Sequence, residues 1–90
     1  MCDTDRRYGF LIEAHDEPDA LVRVLTLFAV QPLVLAQVTM TTRDGRCAIR
    51  VEADGLAPER AETLLRRLGG LAVVRSVGLV WRSPAARSAA

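Results

Sequence analysis

IEAHDEPDALVRVLTLFAVQP, residues 12–32, carries a strand end, an acidic corner and an amphipathic helix in one run. In the corner, Asp16 is placed as a helix N-cap and Pro18 stands early in the helix, both favoured positions. Glu17 and Asp19 add negative charge at the positive end of the helix dipole. From Ala20 the apolar side chains recur at Leu21, Val24, Leu25 and Phe28, the stripe of a helix packed on a core. Val22 and Leu27 widen that stripe, enough for a second face to be buried against a partner subunit. Pro32 ends the helix, because the residue before a proline is pushed out of helical geometry.

On the N-terminal side, residues 8–14 (YGFLIEA) alternate, with Phe10, Ile12 and Ala14 facing one way and Leu11 and Glu13 the other, which predicts a strand. On the C-terminal side, residues 33–42 (LVLAQVTMTT) predict a second strand. Its faces read as Val34, Ala36, Val38 and Met40 against Leu33, Leu35, Gln37, Thr39 and Thr41. RDGR carries the Asp-Gly signal of a hairpin. Residues 46–53 then alternate clearly, with Cys47, Ile49, Val51 and Ala53 inward and Arg46, Arg50 and Glu52 outward. Pro58 opens a second helix whose stripe is Ala61, Leu64, Leu65 and Leu68. Its wet side holds Arg60, Glu62, Arg66 and Arg67, with Glu62 and Arg66 one turn apart. Gly69 and Gly70 stop it, and residues 71–81 predict the last strand.

The order is β α β β α β. Right-handed crossovers put both helices on one face, so the expected architecture is α+β, the ferredoxin-like βαββαβ sandwich. It has a four-stranded antiparallel sheet, with the first and third strands central. The expected limits are a tail at 1–7, one domain at 8–82 and a disordered tail at 83–90. The second strand then lies at an edge, guarded by Pro32 and without a charge until Arg43. Edges left so open invite pairing, and a homodimer is expected. Small chains often gain stability in this way.

Twelve arginines against eleven acidic residues leave a net charge of +1. This balance argues against nucleic acid or an anionic membrane as partner. The third strand also lacks the aromatic residues with which RNA-binding sheets stack bases. Cys2 and Cys47 fit no CxxC spacing and suit a reducing, cytoplasmic setting. MCDTDRRYGF has no signal-peptide core and no apolar run spans a membrane. There is no nucleophile–base pair, no GxSxG elbow and no glycine-rich phosphate loop, so neither an enzyme nor a cofactor of its own is expected.

Two readings of the corner stay open. Asp16, Glu17 and Asp19 form a helix start, or they hold a cation or ammonium group. For a hard metal they supply too few oxygens at set spacing. His15 is a hydrogen-bonding partner or a titrating ligand. Trp81 is a lid on the core or an anchor for a partner.

Asp16, Pro18, Leu21 and Phe28 in DEPDALVRVLTLF have the spacing of the ACT domain family, small regulatory modules of amino-acid metabolism, and the chain resembles that family over residues 8–82. It is most similar to the short, single-domain small subunit of acetolactate synthase. The resemblance implies a non-catalytic regulatory subunit that dimerises and docks on a larger catalytic chain. Any thiamine diphosphate, FAD or magnesium would belong to that chain. It also implies a ligand site for an amino acid or amine. That site is built from His15, Asp16, Glu17, Asp19 and Ala20 of one subunit and Leu33, Val34 and Leu35 of its partner. The sequence departs from the family at Asp19, where amino-acid binders have glycine, and at Pro32 and Val34, where a glycine and often an Asn follow the helix. These departures shift the expected role from effector sensing toward pairing with an enzyme. A stand-alone small-molecule module and a ligand-free dimerisation module are the alternatives.

Overall fold

The computed structural model describes residues 6–82. The elements are β1 (Arg7–His15), α1 (Ala20–Ala29), β2 (Val34–Arg43), β3 (Arg46–Asp54), α2 (Pro58–Gly69) and β4 (Val74–Arg82). They form one antiparallel sheet in the order β2-β3-β1-β4, with β3 and β1 central, as the element order requires. The expected tail at 83–90 and residues 1–5 of the other tail lie outside the described residues. Arg7, placed in the tail on sequence grounds, opens β1 opposite Asp54 and Arg82.

One face of the sheet meets both helices. Tyr8, Phe10, Ile12 and Ala14 of β1 and Cys47, Ile49 and Val51 of β3 are buried there. Against them pack Ala20, Val24 and Phe28 of α1 and Ala61, Leu64 and Leu68 of α2. Phe10 and Phe28 meet edge to face, with ring centroids 5.0 Å apart and planes at 83°, the geometry that aromatic quadrupoles favour. The Asp-Gly hairpin forms as expected: Asp44 and Gly45 have φ of 54° and 77°, both positive as a type I′ turn demands. Pro58 opens α2, and Arg66 and Arg67 sit in its last turn, at the negative end of its dipole. Arg66 turns to the Thr63 hydroxyl, 3.4 Å away, and not to Glu62.

Three details depart from the sequence reading. β4 starts at Val74 and not at residue 71, because Leu71 to Val74 close a turn through Val74 N–H to Leu71 C=O at 3.0 Å. The pairing of β2 with β3 shifts between Leu35 and Gln37, so Ala36 is an extra residue. A bulge reverses the alternation. Leu35 therefore pairs with Ala53 and shares the helix-side face with Val38 and Met40, while Val34 pairs with Asp54 on the face of Gln37, Thr39 and Thr41. Finally, Glu52 faces away from the helices as expected but is only 5% exposed.

Candidate functional site

The β1–α1 corner is held by its backbone. His15 N–H donates to Val73 C=O at 2.9 Å, and Asp16 N–H donates to Gly45 C=O at 3.0 Å. Asp16 is thus tied to the β2–β3 turn and is not the N-cap. That position belongs to Asp19, whose side chain makes no capping bond. The first turn of α1 contains no acidic residue: Glu17 and Pro18, the latter read as early in the helix, both precede the Asp19 cap. The Asp19 carboxylate instead accepts from Arg23 Nε at 2.7 Å, one turn along, with both side chains about half exposed. Its charge is therefore matched within α1. His15, Asp16 and Glu17 are exposed and Ala20 is buried in the core.

The structure does not bring the predicted ligand residues together within one chain. Leu33 is half-buried, and Val34 and Leu35 are 64% and 42% exposed. Val34 pairs with Asp54, opposite Arg7, at the start of β1; the corner follows His15, which pairs with Arg46 beside Arg43. The ten residues of β2 separate the two groups, which at ~3.3 Å per residue is on the order of 30 Å.

Beside the corner lies Cys47, opposite Ala14 and 1% exposed. Burial pushes its thiol pKa up, and the charge of Asp16 adds to the effect. The unfolded thiol deprotonates first, so this contribution to stability is intact below about pH 8.5 and is lost as the pH rises through the folded value above it. In a Cys2→Ser variant, Ellman's reagent at pH 8 should modify Cys47 only as fast as the protein opens, and at once in denaturant. Prompt reaction of the folded protein would contradict this burial.

β2 is exposed along its whole length. On its helix-side face Leu35, Val38 and Met40 remain 42%, 37% and 44% exposed, so the helices stop short of this edge. The only charge in the strand is Arg43.

On the open face of the sheet, pairing register gathers a cluster that sequence patterning missed. Arg7 grips Asp54 through Nε (2.8 Å) and Nη2 (2.6 Å). The hydrogen bonds that Arg7 donates to Asp54, foremost, raise the Arg7 pKa, and the charges of Asp54 and Glu52 act the same way against some desolvation. Glu52 lies among Arg50 (3.1 Å), Arg7 (3.7 Å) and Arg82 (3.7 Å). A cleft of about 200 Å³ opens here, lined by Arg7, Gly9, Arg50, Glu52, Val80, Trp81 and Arg82. Trp81, half exposed, pairs with Tyr8, so its ring turns to the helix-side face, where it carries the Arg6 guanidinium 3.9 Å from its centroid. Two further clefts on this face, of about 590 and 400 Å³, share Glu13, Thr41 and Ala48. None of the three is lined by the predicted corner residues.

Among the described residues no group of three or more His, Cys, Asp or Glu is placed to hold a metal ion, and no helix is long and apolar enough to cross a membrane.

Several solved structures share this architecture. The ACT domain of GTP pyrophosphokinase from Chlorobium tepidum superposes with a TM-score of 0.73 at 14% identity, over 82% of this chain and 96% of that one. The C-terminal domain of the MgtC protein from Mycobacterium tuberculosis does so with 0.71 at 14% identity, over 92% and 94%. The regulatory subunit of aspartate kinase from Thermus thermophilus, in its ligand-free form, gives 0.61 at 18% identity, over 89% and 52%. At such identities the likeness speaks for the fold alone. No curated protein matches the chain in sequence. A family model described as an ACT-like domain matches residues 2–85, nearly the whole chain, and the protein therefore belongs to the ACT-like domain family.

Proposed function

We propose that the protein is a non-catalytic regulatory module that pairs with a second copy of itself through β2 and docks as a dimer on a catalytic chain of amino-acid metabolism, in the manner of an acetolactate synthase small subunit. The observation that carries this is the β2 edge: ten exposed residues, apolar on its helix-side face, with a single charge at its far end. Such an edge is an aggregation hazard unless something covers it. A two-fold axis makes the covering antiparallel and self-limiting.

Antiparallel pairing has a second effect. The start of the partner's β2 comes to lie beside the end of β2 in the first chain. That is the end of the sheet where His15, Asp16, Glu17, Asp19 and Ala20 stand. The two groups of candidate residues that lie far apart in one chain thus converge in the dimer. Membership of the ACT-like domain family supports a regulatory role, and one similar fold, that of the regulatory subunit of aspartate kinase, agrees with it. Sedimentation equilibrium at tens of micromolar should give a dimer; a monodisperse monomer would end the proposal.

A second reading, a stand-alone module for an amino acid or amine at that interface, is favoured by the Asp19–Arg23 pair, which leaves Asp19 less hostile to a carboxylate than its charge alone suggests. Thermal melting against the twenty amino acids tests it, since a ligand at a hundred times its dissociation constant adds ~2.7 kcal/mol. A shift in the wild type marks a sensor. A shift only in Asp19→Gly marks a pocket closed by that side chain, and flat panels in both leave the docking role.

A further inference from the structure

We propose that the cleft on the open face of the sheet is a binding site for a phosphoryl group, held by Arg50, Arg82 and Arg7. The site is independent of the β2 edge and of the β1–α1 corner.

The register makes the case first. Arg7 and Arg82 stand directly opposite each other on β1 and β4, a like-charge pair that is unfavourable by itself. Arg50 comes in from β3, opposite Leu11, so three strands converge three guanidiniums on one spot. Among the described residues two carboxylates answer these three guanidiniums, Glu52 and Asp54. Nor are the donors used up. Asp54 takes two N–H groups of Arg7. Arg50 gives Glu52 its Nε, and Arg82 reaches Glu52 only at 3.7 Å, beyond hydrogen-bond length. Glu52, nearly fully buried, fixes the heads of Arg50 and Arg82 around the cleft without saturating them.

The shape makes the case next. Gly9 lies at the floor, where a Cβ would come to 3.0 Å from Val80 Cγ2. The glycine therefore keeps the cleft open between Arg7, Glu52 and Val80. At about 200 Å³ it is smaller than the ~300–1,000 Å³ of pockets that enclose a whole metabolite. It fits a tetrahedral oxyanion with a few waters. Arginine forks arriving from three strands suit the several oxygens of a phosphoryl group; a planar carboxylate has only two oxygens to offer. Free phosphate and a phosphomonoester share this chemistry.

Trp81 is the only tryptophan of the chain; it lies between the cleft residues Val80 and Arg82, with its ring on the opposite face of the sheet, so its emission reports occupancy through shifts of β4. Its fluorescence should be titrated with inorganic phosphate and with glycerol phosphate at constant ionic strength, with sodium chloride as the matched control. The phosphorus-31 linewidth is a second readout that does not depend on the indole. A saturable change with phosphate, weakened at least tenfold in Arg50→Ala and in Arg82→Ala but not in Arg67→Ala, is the expected result. Both variants alter half-exposed side chains, so the fold should survive, and thermal melts confirm that. Saturation with glycerol phosphate alone would assign the site to phosphomonoesters; with both, to phosphate in general. Flat titrations by both readouts, or a response that chloride reproduces, would overturn the site and leave Glu52 as the centre of an ion cluster.

Discussion

Replacing Phe10 by alanine should destabilise the protein by about 3–5 kcal/mol. Phe10 is fully buried at the middle of central strand β1 and packs edge to face on Phe28 of α1. The substitution removes a large apolar surface from the core and leaves a cavity that the neighbouring strands cannot close. It also ends the ring pair, itself worth ~0.5–1.5 kcal/mol. Domains of this length have roughly 5–13 kcal/mol in total, so roughly a quarter or more would go, and the melting point should fall on the order of 20 °C. Urea unfolding at fixed protein concentration measures the loss. A double-mutant cycle with Phe28→Ala isolates the ring pair. A loss under ~1 kcal/mol would mean that the sheet and α1 do not meet at this pair.

Val38→Lys should convert the dimer to a monomer. Val38 stands mid-strand on β2, opposite Val51, and is 37% exposed. A lysine there is how natural sheets block edge pairing. The monomer loses little, because substitutions at exposed sites cost within ~0.5 kcal/mol. The dimer gains a charge on each side of its axis, and a weakening of about a hundredfold or more is expected, equal to ~2.8 kcal/mol. Val22→Lys is the control. Val22 is 64% exposed on α1, the helix whose wide apolar stripe offers a rival surface. If Val22→Lys dissociates the dimer and Val38→Lys does not, the interface lies on α1 and the β2 proposal fails.

The order of elements was legible because each boundary has a local chemical cause. The Asp44-Gly45 turn, Pro58 and Gly70 act within a few residues and fall where the sequence puts them. The corner was misread for the opposite reason. Asp16 and Asp19 are both good caps three residues apart, and the choice is made by the bond from Asp16 to Gly45, a contact across the fold. Leu35 changed face because no pattern marks the extra residue at Ala36. The arginine cluster was invisible until strand register placed Arg7, Arg50 and Arg82 together; read singly, Arg50 is a wet strand position, Arg7 falls in the tail and Arg82 lies just past the last strand. The candidate ligand residues, carried over from a family resemblance, lie toward opposite ends of β2 within the chain, a separation that residue identity alone does not reveal.

The extra residue at Ala36 also separates two jobs along β2. From Gln37 to Glu52 the hairpin is locked by its turn and by every rung of its ladder. Upstream of Ala36 only Leu35 and Val34 still pair, with Ala53 and Asp54, and the chain from Val30 to Leu33 makes no rung. One residue gained or lost there leaves Val38 and Met40 on the same side of the sheet. The segment between α1 and the bulge can therefore change in length and in chemistry while the rest of the hairpin keeps its register.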